Sequence, residues 1–494
     1  MGTFPLSRAA RGRRFGSRPG SPVPDDRGSA CDHRPAQVAT LCIALVMLTA
    51  GCGVTGAATS PPTPEPSPDP DASGAASPAQ IVHVEWEAAG VSAFQLNDYF
   101  HAVALVDGRV LVVGSTQDGP LTQIWDPASG AWRESAPLNK SRYAFAGVAL
   151  ADGRVMVAGG LNEGSGLGQG GHLSFSSTYV FDPAPGRESW LKVGEMGVAR
   201  TAPAVALLRD GRVLVAGGYF YQGSRGSGPG SSGTQGPPRF GFAWDTAELF
   251  DPITGTWSDT GSMQQARAGA AAVTLTDGRV LVVGSGSYAV DRLSDDVFSA
   301  AEVFDPRTGR FSPVGSLPAV GHDAIAAMGI RLPDSDGEPW SIGTLVALPD
   351  GGALLVGRTR RWRDAAGHPL AEVTRTLRFD AWTGSWTMVG SPWASAFDAD
   401  QGRWVATPGA QRQAAFVARL ADGRVLIAGG TTGDVVTTSA EIFLPATGEI
   451  VRATDMPEGR ADGDAVPLPD GSVMLVGGYA SDRAFAGTAL RMVP

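Results

Sequence analysis

Seven Asp-Gly hairpins in one register predict an all-β fold: a seven-bladed β-propeller of four-stranded antiparallel blades, closed by an N-terminal strand. The hairpin aspartates are Asp107, Asp152, Asp210, Asp277, Asp350, Asp422 and Asp470, each between β-prone runs, and a Gly stands seven residues after every one, from Gly114 to Gly477. A second signature follows the first six, as in Phe250-Asp-Pro with Gly255-Thr-Trp257: an aromatic strand, a tight turn and another strand. Two hairpins per unit make a four-stranded sheet, and radial stacking of such sheets makes a propeller. With 67 Gly and 36 Pro and no long helical periodicity, the composition also favours short strands and many turns.

Length alone would allow two or three domains in 494 residues, but the internal repeat argues for one large domain from 81 to 494. Before it come seven arginines from Arg8 to Arg34, an apolar run from Val38 to Ala50, and Gly51-Cys52. That is the order of parts of a signal peptide over 1–51, and thirteen apolar residues fall short of the roughly 20 that a transmembrane helix needs. Leu48-Thr-Ala-Gly-Cys52 resembles a bacterial lipobox, with Thr49 departing from the usual Leu. The resemblance implies lipidation at Cys52 and a membrane held through that anchor; a plain secretory signal or an uncleaved anchor is the alternative. Residues 52–80 are rich in Pro, Ser, Ala and Asp and read as a tether, since such a composition builds no core.

Cleavage before Cys52 would leave a single thiol and so no internal disulfide. It would also remove a net +4 from a chain of net charge -10, leaving an acidic protein poorly suited to nucleic acid.

Within the repeat domain, Asp-Gly is a favoured two-residue connection because Gly accepts positive φ and Asp tolerates it. The strands that follow, such as Val213-Leu-Val-Ala216, are apolar without alternation, as expected of a sheet packed on both faces. The seventh unit stops at Thr488-Ala-Leu-Arg-Met492, one strand short. Trp86 precedes Asp107 by nearly the spacing that separates Trp132, Trp190 and Trp257 from the next hairpin Asp, so the strand near Trp86 is expected to complete the last blade. The recurring residues, an apolar strand, Asp-Gly, Val-Leu-Val, Gly-Gly, aromatic-Asp-Pro and Gly-x-Trp, resemble the kelch repeat from about Val82 to the C-terminus.

The two rims differ in sequence. Asp-Gly and Pro-x-Thr-Gly turns fill one with tight loops that promise little room for a ligand. The long insertions fall on the other, at 161–177, 219–245, 287–299, 318–341, 359–374 and 392–411. Ten residues before the hairpin Asp stand Arg142, Arg200, Arg267, Arg412 and Arg460, with Asn97 and Trp340 in the two remaining units. A ring of arginines at the channel mouth would suit carboxylate or phosphate groups. The competing reading pairs each Arg with a backbone carbonyl or with Glu248, Glu302 or Glu441. Aromatics on the same rim, among them Tyr219, Phe220, Trp244, Trp362, Trp393 and Trp404, would stack on sugars or pack loops.

Kelch propellers include the galactose oxidase-like copper enzymes. That resemblance would imply a Cys joined to a Tyr, a second Tyr and two His. No Cys follows Cys52, and His83, His101, His172, His322 and His368 are isolated in sequence, so neither metal nor other cofactor is expected. The sialidase Ser-x-Asp-x-Gly-x-Thr-Trp box is not matched either. Asp334-Ser-Asp-Gly-Glu338 and Asp398-Ala-Asp-Gln-Gly402 read as solvated turns in preference to Ca²⁺ loops. The expectation is a monomeric, non-catalytic, extracytoplasmic binding module for a protein or an extracellular, possibly anionic, glycan. The alternative is a carbohydrate-active hydrolase, lyase or oxidase on the same rim.

Overall fold

In the computed structural model the chain falls into two units, Met1–Gly74 and Ala75–Pro494. The structure describes residues 81–494, apart from 92–99, 117–118, 163–172, 221–241, 285–299, 319–342, 364–368, 391–392, 399–402, 407–411, 433–434 and 481–485. Cys52, Asn97 and Trp340 therefore lie outside the described residues, as do His172, His322, His368 and the segment 334–338.

Seven antiparallel four-stranded blades form the ring. Blade 1 runs Phe100–Ala104, Val110–Thr116, Gly119–Asp126, Ala131–Glu134, and each blade repeats that order. The first strands of successive blades touch one another around the axis, including blade 7 (Ala461–Pro467) against blade 1. The blade 7 sheet is completed by Glu85–Val91, which pairs with Thr488–Val493 in the register Trp86 to Met492. Trp86 also donates from its indole to the Thr454 carbonyl at 2.9 Å, tying the closing strand to blade 6.

The hydrophobic core is a set of layers between blades. One layer joins Val110, Val112 and Trp125 of blade 1 to Met474 and Val476 of blade 7. Second strands such as Val213–Ala216 and Val280–Val283 are buried at every position because both sheet faces meet a neighbour.

The Asp-Gly turns differ from the expected two-residue connection. Leu105 N–H bonds Arg109 O, and Gly108 N–H bonds Leu105 O. Only the Gly is left-handed, Gly108 at φ 87°. The primed turn requires positive φ at both central residues, whereas a type I turn followed by a left-handed Gly requires it at one and leaves Asp unstrained. The Asp carboxylate then caps the turn, accepting the Arg109 N–H at 3.1 Å.

Two insertions read as loops contain strands. In blade 5, Ala353–Arg363 and Pro369–Asp380 extend the central hairpin far beyond the blade, and the hairpin Trp393–Asp398 with Arg403–Ala406 adds to its edge. Beyond Asp398, the Asp398–Gly402 segment lies outside the described residues.

Candidate functional site

The five arginines of the repeat ring are internal struts. Arg142, Arg200, Arg267, Arg412 and Arg460 are 0–3 % exposed. Each guanidinium spans the far end of its own blade. Arg200 donates to Gly217 O at 2.8 Å, to Thr246 O and Thr246 Oγ1 at 2.9 Å, and to Glu248 Oε1. Arg267 repeats the pattern with Gly284 O, Ala300 O and Glu302, and Arg412 with Gly429 O, Ser439 O and Glu441. In blade 2, Tyr179 stands at the Glu248 position, and Arg142 lies over the Phe175 and Tyr179 rings at 4.4 and 4.8 Å. Arg460 of blade 7 reaches Thr488 O and Glu458. Burial lowers the pKa of Arg200, Arg267 and Arg412, with the facing glutamates countering it. A ligand ring needs donors that reach solvent, and these arginines point into blade walls. The expectation of an anion site on them is corrected accordingly.

The residue two places after each strut arginine is left-handed: Ala144, Ala202, Gly269, Ala414 and Asp462. This kink lets the chain pass from the strut into the inner strand, at a cost of about 1 kcal/mol at each Ala.

At the axis, the seam between blades 7 and 1 carries an ionisable pair. Six residues before the hairpin Asp, the inner strands present His101, Ala146, Ala204, Ala271, Thr344, Phe416 and Asp464. Ring closure makes the first and last of these neighbours. His101 Nδ1 lies 3.3 Å from Asp464 Oδ2, and the same oxygen accepts the Ala102 N–H at 2.7 Å. Ala102 N–H belongs to the free edge of the innermost strand, so the carboxylate is held on the axis side of that strand. On its other side the imidazole lies over Gly147 of blade 2, where an added Cβ would come within 2.4 Å of His101 Cδ2. The Phe145 ring meets it edge-on at 6.0 Å.

The side chains remain 39 % and 33 % exposed. Burial favours the neutral imidazole, but the hydrogen bond and charge of Asp464 outweigh it and hold the His101 pKa above its ordinary value. With Nδ1–H directed at the carboxylate, Nε2 is left as the acceptor, the arrangement in which a carboxylate orients a proton-transferring histidine. His101 reads as isolated along the chain; aligning it by repeat position against Asp464 is the signal that reveals the pair.

On the long-loop rim, Phe242 is 52 % exposed and packs against Phe220 at 5.9 Å and against Trp244 at 4.6 Å. Trp244 is fixed by its indole bond to Ala199 O. Tyr219, by contrast, is 7 % exposed and serves packing.

No family model matches the chain, and no curated protein does. Among solved structures it is similar to a fungal alcohol oxidase of the AA5 family in complex with copper. The TM-score is 0.52 at 16 % identity, over 83 % of this chain and 76 % of that one. The fold is galactose oxidase-like. The structure of YjhT is also similar, at TM-score 0.40 and 15 % identity, over 71 % of this chain and 94 % of that one. The first likeness overturns the expectation of a module without chemistry, because the architecture is one that houses an enzyme; at this identity it establishes the fold alone. Among the described residues nothing fits copper. No Cys follows Cys52, and among the described residues no three His, Cys, Asp or Glu side chains converge.

Proposed function

We propose that this chain is a carbohydrate-active enzyme working by proton transfer at the axial channel, with His101 as the proton-transfer group and Asp464 as the carboxylate that orients it. The observation that supports this is the His101–Asp464 pair, at a repeat position that is neutral in the other five blades. In the resting state Asp464 accepts the Nδ1 proton and the Nε2 lone pair is available. Taking a proton from a sugar carbon or hydroxyl at Nε2 makes an imidazolium, and the adjacent carboxylate stabilises it without itself being protonated. One imidazole beside one carboxylate suits proton abstraction better than the paired-carboxylate geometry of most glycosidases. Half-exposed Phe242 on the long-loop rim, propped edge-on by Trp244, supplies an apolar ring face on which a sugar ring stacks.

The test is a panel of neutral and acidic polysaccharides, read for new reducing ends, for unsaturated ends and for oxygen uptake. His101→Gln and Asp464→Asn should each lower kcat by about 10²–10⁴-fold in a folded protein. A cleaved substrate whose turnover is the same in both variants and wild type would overturn the assignment.

We also infer that the repeats are kelch-type units and that Cys52 carries the lipid that places the propeller outside the cytoplasm. Fatty-acid labelling of wild type and Cys52→Ala tests the second statement. Equal labelling would refute it.

A further inference from the structure

The tight-turn rim, expected to have little room for a ligand, carries a cleft of about 370 Å³ between blades 3 and 4. Its origin lies in a second repeat feature. In five blades the hairpin reads Asp-Gly-Arg, and the Arg bonds its own Asp, as Arg109 does Asp107. Blades 5 and 7 read Asp-Gly-Gly and Asp-Gly-Ser. There an Arg on the third strand takes the role, Arg378 on Asp350 and Arg491 on Asp470. Every blade thus has at least one Arg–Asp pair on this rim.

Three of the hairpin arginines also cross to the next blade's outer turn. Arg109 donates to Pro183 O at 2.6 Å, Arg154 to Pro252 O at 2.9 Å, and Arg279 to Ala381 O at 3.3 Å. Arg212 of blade 3 does not. Like Arg109 and Arg154 it bonds its own Asp through both Nε and Nη2, here at 2.9 and 2.7 Å to Asp210 Oδ2, but it makes no bond to the next blade's turn, and the cleft occupies the gap that faces Pro306.

Two further arginines border this gap at positions that carry no charge elsewhere. Arg209 precedes the hairpin Asp, where the other blades have Val106, Ala151, Thr276, Pro349, Ala421 and Pro469. It lies across Gly278 and donates to Thr276 O. Arg307 sits in the outer turn, where other blades have Ala128, Ala184, Ile253, Trp382 and Ala446, and it is paired to Asp305 at 3.0 Å. Arg279 completes the lining.

We propose that this cleft is a binding site for a small oxyanion, a phosphate or carboxylate group. The unused bonding capacity of the site is on the donor side. Asp210, Asp277 and Asp305 each accept the backbone N–H two residues on as well as their arginine. A guanidinium has five N–H donors, and Arg212 directs only its Nε and Nη2 groups, both to Asp210. Arg209 brings the fourth positive charge against three carboxylates, and two or more guanidinium forks around one cleft fit an oxyanion's geometry.

The test is calorimetric titration of the full chain at low ionic strength with sodium phosphate and, separately, with sodium glucuronate, against sodium chloride of matched ionic strength. Arg209→Ala with Arg307→Ala places in this seam the residue that other blades already carry there, so folding is retained. At least one oxyanion should bind, with Kd raised tenfold or more in the double variant and unchanged in Arg154→Ala. Preference between the two titrants tells a phosphorylated ligand from an acid sugar, and either preference supports the site. No heat above the chloride control, or equal affinity in wild type and the double variant, would overturn it. The outcome is independent of the His101–Asp464 reading, which concerns the other end of the ring axis.

Discussion

Removing the Arg200 guanidinium is the sharpest way to separate an internal strut from a ligand-facing ring. Arg200→Ala withdraws donors from two backbone carbonyls and one hydroxyl and leaves Glu248, itself 3 % exposed, without its cation. Only the Gly197 N–H, at 2.6 Å on Oε2, remains to the carboxylate. Breaking a buried pair from one side costs about 3–5 kcal/mol, whereas an exposed arginine contributes about 0–1 kcal/mol. The expected loss is therefore about 3–5 kcal/mol, read from urea unfolding followed by tryptophan fluorescence. Arg200→Leu with Glu248→Leu should recover at least half of it, because the uncompensated charge is gone; blade 5 already carries Leu377 at the Glu248 position. A loss below about 1 kcal/mol for Arg200→Ala would refute the strut argument and return the ring to solvent.

Deleting residues 81–91 should leave the Thr488–Val493 edge unpaired and give a domain that elutes as aggregate, checked by light scattering; a stable monomer would deny the closure a role in stability. The His101 pKa is raised on folding, so its pair with Asp464 contributes stability fully present below the unfolded histidine pKa and lost as pH rises through the folded value. Melting temperature should fall across that window relative to Asp464→Asn, in which the slope disappears; parallel curves would exclude the linkage. Gly147→Ala places a methyl 2.4 Å from the imidazole and should push His101 off Asp464, lowering its pKa in an NMR titration; an unchanged titration would mean that the ring has room to spare. Ala202→Gly relieves a left-handed alanine at φ 47° and should be neutral to stabilising by up to about 1 kcal/mol in urea unfolding, whereas a loss of more than 1 kcal/mol would contradict the strain assigned there.

How much of the candidate site was legible varies with the kind of signal. The strut partners Glu248, Glu302 and Glu441 stand at one repeat position, so the pairing with Arg was nameable from spacing; whether those arginines faced water or blade walls was not, because periodicity carries no depth. His101 and Asp464 are 363 residues apart, and neither has a local motif. Only closure of the ring makes them neighbours. The cleft between blades 3 and 4 was hidden for a similar reason. Arg209 and Arg307 are visible as exceptions to the repeat, but the missing bond from Arg212 to the next blade's turn is a matter of local geometry that no spacing records.

The sequence by itself determined the all-β class, the seven blades, their order and the closing strand, since a repeated turn with a fixed offset to its Gly and aromatic positions leaves one way to stack the sheets. It did not determine the turn type at Asp-Gly, the strands found within 359–374 and 392–411, or the direction in which any arginine points. Those depend on which backbone groups and side chains from other blades stand within hydrogen-bond reach. Local propensity specifies the blade, because its hairpins are short-range. The axis and the rims are built from residues contributed by several blades, and their chemistry exists only once the ring is closed.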